Sequence, residues 1–241
     1  MSNLPSAPIE WTKMLAVVAH PDDMEYGAAM AVAAFTEMGK DVRYVMVTSG
    51  EAGIDSIKPD EAGPLREAEE IASAAVVGVQ IVDFLRHADG HLEHNLSLRE
   101  SIARAIRLHQ PDVVITINHR ERFAGGMLNQ ADHRAVGGAL IDAVRDAANR
   151  WIFPNQILVE GLEPCRNCKQ VWIAASPQPT HVVDVTGFVD RGLESLAKHR
   201  VYLDNLDPSM SDPSGMIRAM AQQAGELAGT DYAVSVEIID L

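Results

Sequence analysis

Residues 20–25 of the chain read His-Pro-Asp-Asp-Met-Glu, which places an imidazole and three carboxylates in one short stretch. Like charges crowded into a turn repel unless something neutralises them. A divalent cation does so while taking imidazole nitrogen and carboxylate oxygen as ligands. With Pro21 stiffening the turn, His20 and Asp23 are expected to face one point and Asp22 to face a water bound there. A catalytic zinc usually takes three protein ligands and keeps a further position open, so another donor is needed. Of the nine histidines, His133 is the best placed, in Asn129-Gln130-Ala131-Asp132-His133 at the head of a predicted helix. The plainer reading makes Asp22 or Asp23 a helix N-cap, His20 a surface turn residue, Asp132 a second N-cap and His133 a neutral first-turn side chain. A cap uses only one such group, so the whole His20–Glu25 cluster favours a metal.

The elements that must position these groups follow from hydrophobic periodicity. Residues 14–19 form a continuous apolar run of the kind a strand buried on both faces shows, and a helical pattern over 26–38 follows, ended by Gly39. Residues 41–47 repeat the strand signal, 48–63 read as a long loop, and 64–77 as a helix with Pro64 near its first turn. Strands are predicted at 81–85 and 113–117, the second opened by Pro111-Asp112, with a helix over 96–109 between them. A Gly-rich loop at 124–128 leads into a long helix over 133–148, after which regularity weakens through Pro154 and Pro164. Strands at 171–174 and 181–185, helices at 187–205 and 215–228, and a late strand at 232–238, expected at an edge, complete the chain.

Strands alternating with helices predict an α/β fold, a Rossmann-like three-layer sandwich with a mainly parallel sheet and right-handed crossovers. One domain over residues 1–241 is expected, with 1–12 as an N-terminal extension and 206–241 as a C-terminal helix and strand. In open sheets of this kind ligands bind outside the carboxyl ends of the strands, where the His20 turn and the His133 helix start both fall.

Twenty Lys and Arg against 34 Asp and Glu give a formal net charge of -14, a field that repels phosphate backbones and anionic lipid. No nucleic-acid or membrane partner is expected. At 47% hydrophobic residues the chain can bury a core without disulfides, and it shows neither a leader-like start nor a long uninterrupted apolar run. A cytoplasmic protein is expected, with a homo-oligomer left open. The two cysteines, Cys165 and Cys168, cannot complete a four-thiolate zinc site and are read as reduced thiols without a catalytic role.

Five features occur in order: H-P-D-D-x-E-x-G from His20, Thr48-x-Gly50, Arg66-Glu-Ala-Glu69, Ala88-Asp-Gly-x-Leu92 and Asp132-His-x-x-x-Gly137. In these the chain resembles, over residues 13–204, the PIG-L/LmbE-like family of zinc-dependent N-acetylglucosaminyl deacetylases. The resemblance implies that His20, Asp23 and His133 bind zinc and that Asp22 is the general base. It also implies that Arg66 contacts the substrate and that Asp89 lines a polar pocket. The plain alternatives are an exposed i,i+4 pair of Arg66 with Glu70 and a turn former at Asp89. Where many relatives carry H-P-D-H, this chain has Gln130-Ala131-Asp132-His133. Gln130 can donate a hydrogen bond to an oxyanion but carries no positive charge and transfers no proton. His199 falls where relatives often have His-x-Ser-Gln, here with Val201 and Tyr202 in the last two places; protonated Asp22 or His199 is the candidate donor to the leaving amine, and the plain alternative for His199 is a solvent-facing residue on a late helix.

The expected activity is therefore hydrolysis of an N-acyl amide, most simply the N-acetyl group of an amino-sugar conjugate, with Zn2+ as cofactor and a small-molecule substrate as partner. The rivals are an amidase removing a larger acyl group from a sugar-linked thiol conjugate, a Rossmann-like binding protein without hydrolytic activity, and a metal-binding but silent homologue. The first strand-to-helix turn lacks G-x-G-x-x-G and is strongly acidic, which disfavours a pyrophosphate there.

Overall fold

A computed structural model describes residues 4–208 and 211–241. Residues 1–3 and 209–210, parts of the expected N-terminal extension and C-terminal stretch, lie outside them. The described strands are β1 (Lys13–Val18), β2 (Asp41–Met46), β3 (Val82–Phe84), β4 (Val113–Ile117), β5 (Gln170–Ala174), β6 (His181–Asp184) and β7 (Ala233–Asp240), in one sheet of order β3-β2-β1-β4-β5-β7-β6. β3-β2-β1-β4-β5 are mutually parallel, and β7 is antiparallel to both β5 and β6. The layering and the mainly parallel sheet are those expected.

Alternation along β1 shows why its continuous apolar run is a strand. Met14, Ala16 and Val18 enter one core with α2 (Ala29–Glu37) and α7 (Val189–Leu196), while Leu15 and Val17 enter the other with α4 (Leu96–His109) and α5 (Ala131–Ala148). A strand with helices on both faces has no solvent side on which to place polar residues. The order of strands reverses between β1 and β4, so the crevice at their carboxyl ends is the topological switch point.

Four local expectations are corrected. The helix expected over 26–38 is two helices, α1 (Asp23–Gly27) and α2, broken at Ala28 with φ -153 and ψ 5. The second α/β unit's helix, α3 (Pro59–Val76), starts earlier than expected because Pro59 takes the N1 position and Asp60 and Glu61 fill the first turn, leaving Pro64 inside the helix. The helix expected over 187–205 divides into α7 and α8 (Arg200–Asp204), with His199 between them. The late strand is interior, because β6 pairs with its outer side, and an alternating pattern carries no information about what lies beyond it. The remaining helices are α6 (Pro154–Leu158) and α9 (Ser214–Ala228). Cys165 and Cys168 are free and buried, and burial pushes the Cys168 thiol up to about 12, far from a reactive thiolate. Among the described residues no helix is long and apolar enough to cross a membrane.

Candidate metal centre

The turn after β1 carries His20, Asp22 and Asp23 to the carboxyl edge of the sheet, and α5 brings His133 to the same place from beyond β4. His20, Asp23 and His133 converge and all are buried. His20 Nδ1 lies 3.3 Å from His133 Nε2. Asp23 Oδ1 is 3.1 Å from His133 Nε2 and Asp23 Oδ2 is 3.7 Å from His20 Nδ1. Ligands at 2.0–2.1 Å around a tetrahedral zinc stand roughly 3.3 Å from one another, the separation of the two ring nitrogens, and one donor atom from each of the three residues lies within 4.8 Å of the others.

The outer partners decide which ring nitrogens are free. His20 Nε2 is 3.1 Å from Asp89 Oδ1 and 3.5 Å from Asp132 Oδ2, a pair of carboxylates that fixes its proton on Nε2. His133 Nδ1 is 2.9 Å from Asn129 Oδ1, which can only accept, so the proton sits on Nδ1. Both lone pairs then aim at the point that Asp23 also faces. With those outer bonds made, the two inner nitrogens and the Asp23 carboxylate share one point, which a proton or a cation can occupy. Burial pulls the His20 imidazole down, but its bonds with Asp132, Asp23 and Asp89 outweigh that and raise its pKa well above the ordinary range. Asp23 moves the other way. Burial would raise it, yet the charges and hydrogen bonds of His133 and His20 hold it far below the usual carboxylate range. A place that holds positive charge this firmly suits a metal ion.

The outer groups are themselves anchored. Asp132 accepts the Gly90 N–H at 2.8 Å and the Leu92 N–H at 3.3 Å. Asp89 accepts from Ala52 N at 2.8 Å. Asn129 donates through Nδ2 to the carbonyls of Asn118 and Arg120. It stands at the base of a hairpin closed by the Arg122↔Leu128 bridge, so the Gly-rich stretch expected as a plain loop is a turn that holds the partner of His133. Asn129 and Asp132 carry no signal of this in the sequence beyond their i,i+4 and i,i+1 spacing to His133.

Asp22 is buried beside the triangle, with φ 102 and ψ -19. Among the described residues four other non-glycine positions have positive φ, all between 50 and 56, whereas Asp22 lies outside that narrow well, at a cost of about 1–3 kcal/mol. Burial raises its carboxyl above the usual range, opposed by Arg66 and reinforced by Asp23. Arg66 is 2% exposed and lies 3.3 Å from Asp22 Oδ1 through Nη2. The exposed helix pair that its spacing to Glu70 allowed is not what forms. Gln130 is exposed at the N-cap position of α5, its side chain making no capping bond. His199 is completely buried and pairs with Glu70 at 3.4 Å and Glu25 at 3.8 Å. The structure thus brings His20, Asp22, Asp23, His133 and Asp89 together, sets Gln130 at the rim, and puts Arg66 and His199 in the layer behind Asp22.

Residues 15–144 match the family model described as PIG-L, GlcNAc-PI de-N-acetylase. Among curated proteins the chain is 26% identical to the diacetylchitobiose deacetylase of Thermococcus kodakarensis, over 94% of this chain and 83% of that protein. Among solved structures the N,N′-diacetylchitobiose deacetylase of Pyrococcus horikoshii, complexed with an inhibitor, superposes with a TM-score of 0.86 at 24% identity, over 95% of this chain and 84% of that one. The 4-carboxy-2-hydroxymuconate hydratase GalB of Pseudomonas putida superposes with a TM-score of 0.74 at 18% identity, over 95% and 96%, so the fold alone does not fix the reaction. With its family model spanning more than half of the chain and a buried metal-ligand cluster at the switch point of its sheet, the chain belongs to the PIG-L family, as an amide-bond hydrolase with a metal-binding active site.

Proposed function

We propose that this protein hydrolyses the N-acetyl group of an amino-sugar conjugate at a zinc ion held by His20, Asp23 and His133. The observation that carries the reading is the pair of outward acceptors, Asp89 on His20 Nε2 and Asn129 on His133 Nδ1, which leaves the other ring nitrogens and the Asp23 carboxylate to converge beside Asp22. The nitrogen and oxygen donor set with two imidazoles suits zinc, which keeps a position open at catalytic sites. When bound, the ion supplies a Lewis acid for the amide carbonyl and lowers the pKa of water toward about 7.

The chain's own groups do the rest. Asp22 accepts the proton of the attacking water at its carboxylate while the water oxygen bonds to the acyl carbon. The Gln130 amide N–H donates to the carbonyl oxygen as negative charge develops on it. Asp22, now protonated, returns its proton to the nitrogen as the carbon–nitrogen bond breaks, releasing a free amine and a carboxylic acid. Asp89 and Asp132 keep His20 in the tautomer that faces the metal. Asp89 is therefore read as a support of the ligand rather than a substrate contact. His199, enclosed behind Asp22, is left without a part as proton donor.

The test is release of primary amine from a panel containing N-acetylglucosamine, diacetylchitobiose and larger N-acylated sugar conjugates, with wild-type and Asp22→Asn proteins. Activity on N-acetyl sugars that falls about 10²-fold or more in Asp22→Asn, at unchanged metal content, supports the reading. Metal loss in Asp22→Asn, with activity restored by excess zinc, makes Asp22 a ligand and reverses the roles of the two aspartates. Preference for a larger acyl group favours the amidase alternative, and no amine release from any conjugate overturns the reading.

A further inference from the structure

The peptide group joining Pro21 to Asp22 is gripped from both edges by one helix. Arg66 Nη2 donates to Pro21 O at 2.5 Å, and Glu70 Oε2 accepts from Asp22 N at 3.2 Å. The two side chains are i,i+4 on α3, hence neighbours on one face, and both are buried. A carbonyl and an N–H on opposite edges of one rigid peptide plane fix its rotation, and that rotation sets φ of Asp22. Asp22 is the residue whose φ of 102 is the least favourable among the non-glycine positive-φ positions.

The guanidinium is itself locked. Nη1 donates to Gly50 O at 2.9 Å. A Cβ built at Gly50 or at Gly53 falls 2.3 Å from Nη1, so both glycines leave the space the guanidinium fills. The Tyr202 ring covers its face, 4.1 Å from Cζ. These contacts account for Arg66's burial.

We propose that Arg66 and Glu70 are positioning residues, a clamp from α3 that holds the backbone of Asp22 in its left-handed conformation and so aims its carboxylate. The assignment rests on the reading of Asp22 as general base and replaces the expectation that Arg66 contacts the substrate. The clamp reaches the reaction through Asp22, whose carboxylate Arg66 Nη2 also faces at 3.3 Å, so its loss changes the chemical step and leaves substrate affinity alone.

Kinetics on the metal-loaded full chain with diacetylchitobiose as probe substrate test this. Glu70→Ala is expected to lower kcat about 10²-fold with KM and metal content unchanged, the scale of loss for a reacting group displaced by about 1 Å. Glu70→Gln, which keeps a carbonyl oxygen for the Asp22 N–H, recovers most of that loss. Arg66→Lys does not recover what Arg66→Ala loses, because an ammonium cannot reach Pro21 O and Gly50 O together while stacking on Tyr202. In an Asp22→Asn background, Glu70→Ala and Arg66→Ala bring little further loss, whereas a merely structural role adds its full cost in that background. Should either alanine variant fail to fold, Tyr202→Leu removes the surface on which the guanidinium rests and shows the same kcat signature at smaller size. A rise in KM at unchanged kcat for Arg66→Ala overturns the clamp and restores a substrate contact, and additive losses in the double variants also overturn it. Failure of the underlying reading shows separately, as an Asp22→Asn protein of undiminished kcat.

Discussion

Two clusters of the same ingredients lie back to back across the turn after β1, and they do different things. His20, Asp23 and His133 form one, and Glu25, Glu70 and His199 the other, each buried and each with one donor atom per residue within 4.8 Å of the others. In the first, the outward nitrogen of each histidine is held by Asp89 and Asp132 or by Asn129. In the second, His199 Nδ1 and Nε2, Glu25 Oε2 and Glu70 Oε1 have no hydrogen-bond partner among the described residues. The second cluster settles its charge with protons. Burial together with the Glu25 charge raises Glu70 well above the usual range. Burial would raise Glu25 as well, but His199 pulls it down, and in return Glu25 outweighs burial to raise His199. These opposed shifts favour a proton shared within the cluster, and Ser73 and Ser195 bridge Glu25 to α7. The first cluster's outer partners instead reserve the inner lone pairs for something else. Carboxylates and imidazoles in contact do not by themselves make a metal centre; the groups behind them do.

The largest effect that tests this contrast is loss of metal. His133→Ala should drop bound zinc from about one ion per chain to background and remove activity with it, whereas His199→Gln should leave the stoichiometry unchanged, both read by elemental analysis of dialysed protein. An equal loss of metal in the two variants would erase the distinction. For His199→Gln the expected cost falls on stability instead, about 3 kcal/mol in urea, because Glu25 is left as a buried carboxylate without its counter-charge. Next in size is Asn129→Ala, which keeps every ligand but frees the His133 ring. Metal affinity should weaken roughly 10–100-fold, measured by competition with a chelator, with little change in the urea midpoint.

The sequence made the inner layer legible and the outer one opaque, for a physical reason. His20, Asp22 and Asp23 are consecutive or nearly so, and a divalent site leaves a local concentration of donors that no cap requires. The β-α alternation sets where that turn sits and puts the start of the His133 helix at the same edge of the sheet. Glu25, Glu70 and His199 meet across 45 to 174 residues of chain, and nothing in their local spacing brings the three together. For Arg66 the resemblance implies a substrate contact and the spacing to Glu70 allows an exposed pair, and neither reading shows that both side chains turn inward to one peptide group. The division of the last helical stretch at His199 and the insertion of β7 between β5 and β6 are also set by long-range packing, which periodicity does not record.

The outer layer of the metal cluster continues one step further, and this gives the smallest effect. Arg120, whose carbonyl accepts from Asn129, is pinned by its guanidinium to Glu237 on β7, with Nη1 2.5 Å from Oε2 and Nη2 2.6 Å from Oε1. Ser176 Oγ donates to the same carboxylate at 2.5 Å. Burial would raise Glu237, but Arg120 and Ser176 more than offset it and hold its pKa below the ordinary value. A carboxylate whose pKa is lower folded than unfolded stabilises the fold at any pH above its unfolded value. It loses that contribution as pH falls through the folded one. Glu237→Gln keeps the shape and removes the charge, so it should cost about 1.5 kcal/mol at pH 7. That difference from wild type should persist down to about pH 5 and then shrink through the acid range, as both proteins come to carry a neutral side chain there. Urea midpoints at pH 7, 5, 4 and 3 measure it. A difference that stays constant to pH 3 would mean the ion pair contributes only its packing. The support behind Asn129 would then be steric, and the electrostatic contrast between the two clusters would stop at their first outer partners.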